Sequence, residues 1–550
     1  MANIKLNDEQ KEVVFSDFNT SKIISAPPGA GKTTIMAKRI SFLIKQGYIQ
    51  HPYKILALTF SKAASNEMKK KISDEMKFSK DLFHITTFHG FCFDVLNAYG
   101  NYIGLNRNFE MYTYNPNYNP RLAHAFEHFG LHYDNNEFNA WKLKYVLKCE
   151  ENDNEQYLKI LKYYYDLLIE NNMMDYDGLL IFTHKLFKNH EPILEYYRSP
   201  FKIILVDEFQ DTNSMQFKIL DLLVNGNDNN KKNIFIFTDP KQSIYGFQGA
   251  DYKNHKRAIE NFNCKEEKLT ECHRFENKAI EQLSKSISNY IDGNREYDSE
   301  LPINENLPKY FIFNENQEEY KYIINQINDL KNEGIKYENI CILAPKRTIL
   351  NNIIGMMKLI NFENFIFIND YKDKWDVQIT KLTNLGKNDL SEYTNLHDMI
   401  ISNLKMHEYF KDTILKESKK IDRQNPNLEI KTKLSNFINH MIWNYDNFFK
   451  NNNFLKDKIF LSTIHSSKGM QFDVSFVCNL NNGSIPFYKD CQRNCYKKTG
   501  ELNKDSLNLL NVAVSRSKKQ LYLTSTYDYD NHETCILKPF YRYLEIIEEY

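Results

Sequence analysis

Residues Ala26-Pro-Pro-Gly-Ala-Gly-Lys-Thr33 have the spacing of a phosphate-binding loop, with Ala26 where the first glycine is usual. Gly29 and Gly31 would let backbone N–H groups of the run Ala26, Pro27, Pro28, Gly29, Ala30 and Gly31 curl around phosphate oxygens. A helix opening at the loop's end would turn its positive pole to the same anion. Lys32 would reach the β- and γ-phosphates, and the Thr33 hydroxyl would ligate Mg²⁺. Much later, Ile203-Ile-Leu-Val-Asp-Glu208 ends four apolar residues in two acids. At the carboxyl edge of a sheet Asp207 can hold the Mg²⁺ shell while Glu208 polarises an attacking water. The two runs together predict hydrolysis of a nucleoside triphosphate, with ATP and Mg²⁺ as cofactors.

These residues need strands and helices to bring them together. Lys22–Ala26 reads as a strand and Thr33–Gln46 as a helix, followed by a strand at Lys54–Phe60, a charged helix at Lys62–Met76 and a strand at His84–Phe88. Such alternation predicts a parallel sheet covered by helices. Residues 91–199 turn mainly helical, and strands return at Lys202–Val206 and Asn233–Thr238. A second α/β region begins near residue 276, with strands at Lys309–Phe313, Ile340–Ala344, Ile459–Ile464 and Asp473–Val477. The expectation is an α/β protein of two tandem P-loop-type domains, each interrupted by a mainly helical insertion. Its boundaries are 1–90 with 200–275, 91–199, 276–350 with 456–550, and 351–455.

Composition narrows the function classes. The 550 residues carry 71 Lys+Arg and 71 Asp+Glu, a formal net charge of zero, which excludes a tail-driven polyanion binder. A 42% hydrophobic and 14% aromatic share, with only 18 Gly and 14 Pro, excludes a disordered or collagenous chain. Basic residues nevertheless outnumber acidic ones in the windows 54–80, 231–257 and 489–519. That distribution suits a basic track inside a cleft. The start MANIKLNDEQKEVV has no apolar core of a secretion signal, and no apolar run is long enough to span a membrane. Nine cysteines, with Cys491-x3-Cys495 and Cys264 with Cys272-His273 as the only loose pairings, lack a four-ligand zinc spacing. Free thiols and a cytoplasmic location are the expectation.

Further blocks carry a family likeness. ILVDEFQDT resembles motif II of the UvrD/Rep/PcrA group of superfamily 1 DNA helicases. Leu6-Asn-Asp-Glu-Gln10 is similar to the Q-motif, Leu56–Ala64 to motif Ia, Thr86-Thr-Phe-His-Gly90 to motif Ib, and Asp239–Ala250 to motif III. Leu269-Thr-Glu-Cys-His-Arg274 resembles motif IV, Thr463–Phe472 motif V, and Asn511–Ser517 motif VI. Met174–Leu180 is similar to the segment leading back from the first insertion. The likeness implies two RecA-like domains and an ATP-dependent single-stranded-DNA translocase and helicase. By its motif II and His465-x-x-Lys468-Gly469 that motor would run 3′→5′, with single strands and single/double-strand junctions as partners.

The resemblance also implies roles. Gln10 would read adenine, Gln242 would sense the γ-phosphate, and Arg274 and Arg516 would neutralise transition-state charge as arginine fingers do. Phe60, Tyr245 and Phe247 are the aromatic candidates for stacking bases, with His89 beside them and Thr87 and His465 for the phosphate backbone. Three positions depart from the family pattern: Gln248 stands for an Arg in motif III, His273 for the adenine-stacking Tyr with Thr34 for a second stacking Arg, and Gln471 for the ribose-binding Glu. A weaker or less adenine-selective nucleotide grip is expected. The second insertion is short, and too few residues follow Arg516 for a RecB/AddA-type nuclease domain. Shortened UvrD-like proteins occur in prokaryotic anti-phage systems such as Gabija. The alternative reading is therefore a DNA- or nucleotide-sensing ATPase subunit that regulates a partner nuclease.

Overall fold

The computed structural model describes the chain except for residues 1–5, 76–79, 115–117, 152–153, 227–230, 252, 295–305, 387, 451–455, 486–501, 528–532 and 549–550. Cys491, Cys495 and part of the 489–519 basic window lie outside the described residues.

Eight strands belong to the first half: β1 (Lys22–Ser25), β2 (Lys54–Thr59), β3 (Phe83–Thr87), β4 (Glu110–Met111), β5 (Met173–Met174), β6 (Phe201–Val206), β7 (Asn233–Thr238) and β8 (Lys265–Lys268). Six of them form a parallel sheet in the order β3-β2-β6-β7-β1-β8. Along β2, Leu56 and Leu58 pack into one core while Ile55 and Ala57 pack into the other. Both faces are covered, so the strands read as unbroken apolar runs. β8 is the exception. Its Lys-Glu-Glu-Lys sequence carries no apolar signal, and it pairs only as the sheet's edge beside β1.

The second half holds β9 (Lys309–Phe313), β10 (Ile340–Ala344), β11 (Phe365–Phe367), β12 (Ile459–Thr463), β13 (Phe472–Val477), β14 (Ser517–Thr526) and β15 (Glu545–Glu548). They make a parallel sheet in the order β11-β12-β10-β13-β14-β9-β15. The protein is thus an α/β molecule with two parallel-sheet domains, as the sequence predicts. β11 falls inside the stretch expected to be insertion, yet pairs with β12 as a sheet edge. Three residues are too short a run to announce a strand against a helical background.

Two helical bodies stand on these sheets. The first, between β3 and β6, shares one continuous core with a face of the first sheet, from Phe88 and Phe91 through Tyr164 and Leu168 to Leu186. The second contains helices Ile368–Leu385, Leu396–Asn403, Glu408–Gln424 and Ile430–Trp443 around Tyr371, Trp375, Phe410 and Phe437. Helix Ile430–Trp443 leans on the first body: Ser435 Oγ donates to Asn108 O at 3.3 Å and Asn439 Nδ2 to Phe109 O at 3.2 Å. Among the described residues no helix is long and apolar enough to cross a membrane, and all seven described cysteines are free thiols.

Candidate functional site

Between β1 and helix Lys32–Lys45 the chain turns on Gly29 (φ 82°) and Gly31 (φ 81°), both left-handed. A Cβ on Gly29 would sit 2.4 Å from Arg274 Cβ and 2.8 Å from Cys272 Sγ, so glycine is required by conformation and by approach. Ala26 N donates to Thr238 O at 2.9 Å, and Ala30 N to Pro27 O at 3.2 Å, which shapes the loop. Pro28 O accepts from Cys272 Sγ at 2.7 Å and Gly29 O from His273 N at 3.1 Å. The Cys272–Arg274 segment is therefore docked directly on the loop. Lys32 is buried, and its Nζ donates to Ala26 O at 3.2 Å. Thr33 follows it in the helix's first turn, and Thr34 Oγ1 accepts from Lys71 Nζ at 3.0 Å.

Gln10 is held against the same loop. Its Nε2 donates to Ala30 O at 3.1 Å, while its Oε1 accepts from Asn7 N at 3.1 Å in a capping box. Asn7 Nδ2 in turn donates to Glu271 Oε2 at 2.8 Å, and the exposed His273 ring lies 3.9 Å from Glu271. Gln10, Glu271 and His273 thus share one rim of the loop.

β6 delivers the two acids at its carboxyl end. Asp207 N donates to Leu58 O at 2.9 Å, extending the β2–β6 ladder by one step. Glu208 is left-handed at φ 50°, a strained position for a non-glycine residue, and its N donates to Asp207 Oδ1 at 2.9 Å. Gln210 Nε2 donates closely to Glu208 Oε2. Burial and the adjacent Glu208 charge push Asp207 up to about 7. Burial also raises Glu208, but Lys32, Lys468, the Gln210 hydrogen bond and Arg274 outweigh it and hold this carboxyl below its usual range. One acid is thus surrounded by cations, while its neighbour is a buried hard-oxygen donor. The Asp207 carboxylate and Thr33 hydroxyl fit Mg²⁺, which uses one or two protein oxygens and fills its shell with phosphates and water. Among the described residues no group of three or more His, Cys, Asp and Glu forms an all-protein cage.

The second domain closes the site. Arg516 is 1% exposed; its Nη2 donates to Gln242 Oε1 at 3.2 Å, and its Nε and Nη1 to Val512 O and Met470 O. Gln242 Nε2 donates to Asp239 Oδ2 at 2.5 Å. Arg274 Nη1 donates to Ser515 O at 3.0 Å. With its amide oxygen facing the guanidinium, Gln471 accepts from Arg274 Nε at 3.2 Å and Nη2 at 3.3 Å. Burial, then the charge of Arg274, lowers Arg516 to about 9, and burial lowers Arg274 too. A buried and a half-buried guanidinium repelling one another, with the buried Lys32 on the same cleft, make a strong anion site.

The DNA candidates divide into two groups. Phe60, at the end of β2, is 44% exposed and stacks on Tyr245 with centroids 5.3 Å apart and planes 22° from parallel. Tyr245 Oη donates to His465 O at 3.1 Å, which carries the pair onto the second domain. Thr87, the partner of Thr59 across the β2–β3 ladder, and His89 lie at the start of the helix Phe88–Tyr99. Thr87 Oγ1 caps that helix by accepting from Gly90 N at 3.0 Å, and His89 meets the Tyr176 ring edge-on at 5.4 Å. Burial lowers His89 to about 4, so it is neutral at physiological pH. Thr87 lines a cavity of about 320 Å³ whose far wall is Asn439, His440 and Trp443 of the second helical body. The Phe247 side chain lies outside the described residues; its backbone forms the short turn Gly246–Gln248, on which Gln248 is exposed.

Sequence reasoning passed over two site residues. Lys468 Nζ reaches from the turn after β12 to Asp211 Oδ2 at 2.5 Å and Gln242 O at 2.7 Å. Both residues stood inside blocks already singled out. A charge spaced within a motif does not say which distant charge it meets.

Comparison with known proteins agrees with this geometry. Residues 6–263 match the UvrD/REP helicase N-terminal domain, and residues 361–528 match the UvrD-like helicase C-terminal domain. A probable DNA helicase II homolog of Mycoplasma capricolum subsp. capricolum is 26% identical, over 97% of this chain and 86% of that protein. A probable DNA helicase II homolog of Mycoplasma genitalium is also 26% identical, over 96% and 86%. The ATP-dependent DNA helicase PcrA of Staphylococcus aureus strain MRSA252 is 24% identical, over 94% and 83%. With both family domains present in order across two parallel-sheet halves, the chain belongs to the UvrD/Rep/PcrA group of superfamily 1 DNA helicases, enzymes that hydrolyse ATP.

Proposed function

We propose that this chain is a 3′→5′ single-stranded-DNA translocase that unwinds duplexes from single/double-strand junctions. The supporting observation is the convergence of Lys32, Arg274 and Arg516, from three separate segments, around the carboxylate of Glu208. Such a cluster is balanced by a triphosphate and leaves a carboxylate to orient water.

In this reading the loop Ala26–Gly31 and Lys32 bind the phosphates, while Gln10 and His273 border the base. Gln471 is engaged with Arg274 and positions that guanidinium. Thr33 and Asp207 would hold Mg²⁺, which when bound neutralises charge on the phosphates. Glu208 accepts the proton of the attacking water. Arg516 and Gln242 bridge the two domains, so the presence of a γ-phosphate is felt as closure. Phe60 and Tyr245 grip bases without regard to sequence. Alternating closure and opening would ratchet the strand across that pair.

The direct test is unwinding of duplexes carrying either a 3′ or a 5′ single-stranded tail. ATP-dependent unwinding of the 3′-tailed substrate alone supports the reading, and equal or exclusive use of the 5′ tail refutes the direction. DNA-stimulated ATPase without unwinding of either substrate would favour a sensor that acts through a partner.

A further inference from the structure

The cavity of about 320 Å³ beside Thr87 is built by three parts of the chain and is large enough for a small ligand. Lys62, which follows β2, and Thr87, which ends β3, line it from the first sheet. Phe93 and Asp94 line it from the first helical body, and Asn439 and Trp443 from the second. Two of these side chains lack a partner for a buried polar atom. Asn439 is 8% exposed, and its Nδ2 donates to Phe109 O at 3.2 Å. Its Oδ1 is left over, buried, and among the described residues accepts no hydrogen bond. The Trp443 ring meets Phe93 edge-on at 5.5 Å and Tyr176 at 5.9 Å, while its buried Nε1 finds no acceptor among the described residues.

A buried polar atom without a partner is destabilising, and native folds hold few of them. Here an acceptor and a donor in that state stand four residues apart on one helix, hence on one face, in the wall of one cavity. Such a pair asks for a ligand with a donor beside an acceptor. The Watson–Crick edge of an unpaired nucleobase is that ligand, whichever base it is. Phe93 and Trp443 supply the aromatic wall that a base ring packs on. Lys62 supplies a cation for the attached phosphate. Asp94 is an acid in the same wall, but burial pushes its carboxyl up against the pull of Lys62 and Lys69, so it opposes a phosphate less than an exposed carboxylate would. Thr87 pairs with Thr59 across the β2–β3 ladder, and Thr59 adjoins Phe60, so a strand stacked on Phe60 would run past this cavity.

We propose that this cavity is a base-binding subsite: one nucleotide of the single strand turns its base away from Phe60–Tyr245, donates from the base edge to Asn439 Oδ1 and accepts from Trp443 Nε1, with its phosphate toward Lys62. The inference rests on the DNA-motor reading above and adds to it a subsite whose base-contacting side chains come from the second helical body. That body then takes part in the grip on the strand, and a nucleotide without its base forfeits the contact.

The test begins with photo-crosslinking of the full chain to single strands that carry 5-iodouracil at each position in turn, with the linked peptides mapped by mass spectrometry. One strand position should link to the peptide that holds Trp443, apart from any link at Phe60 or Tyr245. Links confined to Phe60 and Tyr245 overturn the proposal and leave the DNA-motor reading standing. Fluorescence anisotropy then compares the parent with Trp443→Phe, which keeps an aromatic ring and removes the donor. Trp443→Phe should bind an intact strand about tenfold more weakly. On a strand made abasic at the linked position, the two proteins should agree within about twofold. An equal loss on intact and abasic strands overturns the proposal, because Trp443 would then act only through packing. Displacement of the strand from Trp443 by submillimolar thymidine monophosphate would assign the cavity to a free nucleotide and overturn the strand as its source. A parent chain that binds no single strand would overturn the DNA-motor reading itself, together with this inference.

Discussion

Arg516 Nη2 lies 3.2 Å from Gln242 Oε1, and this hydrogen bond joins the two parallel-sheet domains directly beside the phosphate loop. Neither side chain is free to rotate away: Gln242 is held by Asp239, and Arg516 by Val512 O, Met470 O and Ser515 Oγ. The guanidinium is almost fully buried with no carboxylate among its hydrogen-bond partners. It is thus a charge stored at high cost, to be repaid by an anion arriving in the cleft.

Arg516→Ala should therefore lower kcat by about a thousandfold, in the range of a lost arginine finger, with a smaller effect on ATP affinity. Because Arg516 and Gln242 touch, the double variant with Gln242→Ala should fall short of the product of the single effects. Steady-state ATPase on the four proteins measures this, and strict additivity would place the two residues in separate roles.

Glu208→Gln preserves the shape of the strained turn but removes the charge that Lys32, Lys468 and Arg274 surround. Turnover should drop by about a hundredfold or more while ATP and single-stranded DNA still bind. Lys32→Ala should lose nucleotide affinity as well. Undiminished ATPase in Glu208→Gln would remove it from the water-activating role.

Gly29→Ala meets two obstacles at once, a φ of 82° and Arg274 Cβ only 2.4 Å from the new methyl group. The strain should cost about 1–3 kcal/mol and displace the Cys272–Arg274 segment from the loop. A lowered melting temperature with lost nucleotide binding is the expected result. An unchanged protein would mean that this segment is not packed on Gly29 in solution.

Phe60 is half-exposed and, among the described residues, stacks on Tyr245 alone, so Phe60→Ala should leave the melting temperature nearly unchanged. Single-stranded-DNA binding should weaken by about 1–3 kcal/mol irrespective of base sequence. Fluorescence anisotropy with oligo(dT) and mixed-sequence strands checks both points, and unchanged affinity would return Phe60 to a packing role.

Burial pushes Asp211 up to about 7, although Lys468 opposes it. For an acid raised in the folded state, the native protein holds a proton that the unfolded chain has released. Its contribution is fully present below about pH 4 and disappears as pH rises through about 7. Asp211→Asn removes this component, so its melting temperature should fall less steeply than the parent's between about pH 5 and 7.5. Parallel curves would show that Asp211 is ionised throughout.

Much of the machinery was readable because it is local. The loop Ala26–Thr33 is a turn between a strand and a helix, and the order of its residues specifies its conformation. Asp207 and Glu208 announce themselves by ending an apolar run that only a buried strand explains. The edges were less legible. β8 has no apolar face, and β11 is too short to compete with helical surroundings, so pairing rather than periodicity makes them strands. His89 reads as a nucleic-acid contact from its motif, yet the fold turns it onto Tyr176, next to Trp443 from a helix hundreds of residues away.

By itself the sequence determined the family and the two parallel-sheet halves, and it singled out the loop residues and the two acids proposed here to act on the triphosphate, since each depends on neighbours a few positions apart. Tertiary structure alone decided which charges face each other. That Lys468 meets Asp211, that Arg274 packs on Gly29 and holds Gln471, and that Arg516 reaches Gln242 are consequences of two sheets placed against one cleft. Electrostatic and packing energies depend on distance through space, which separation along a chain does not encode.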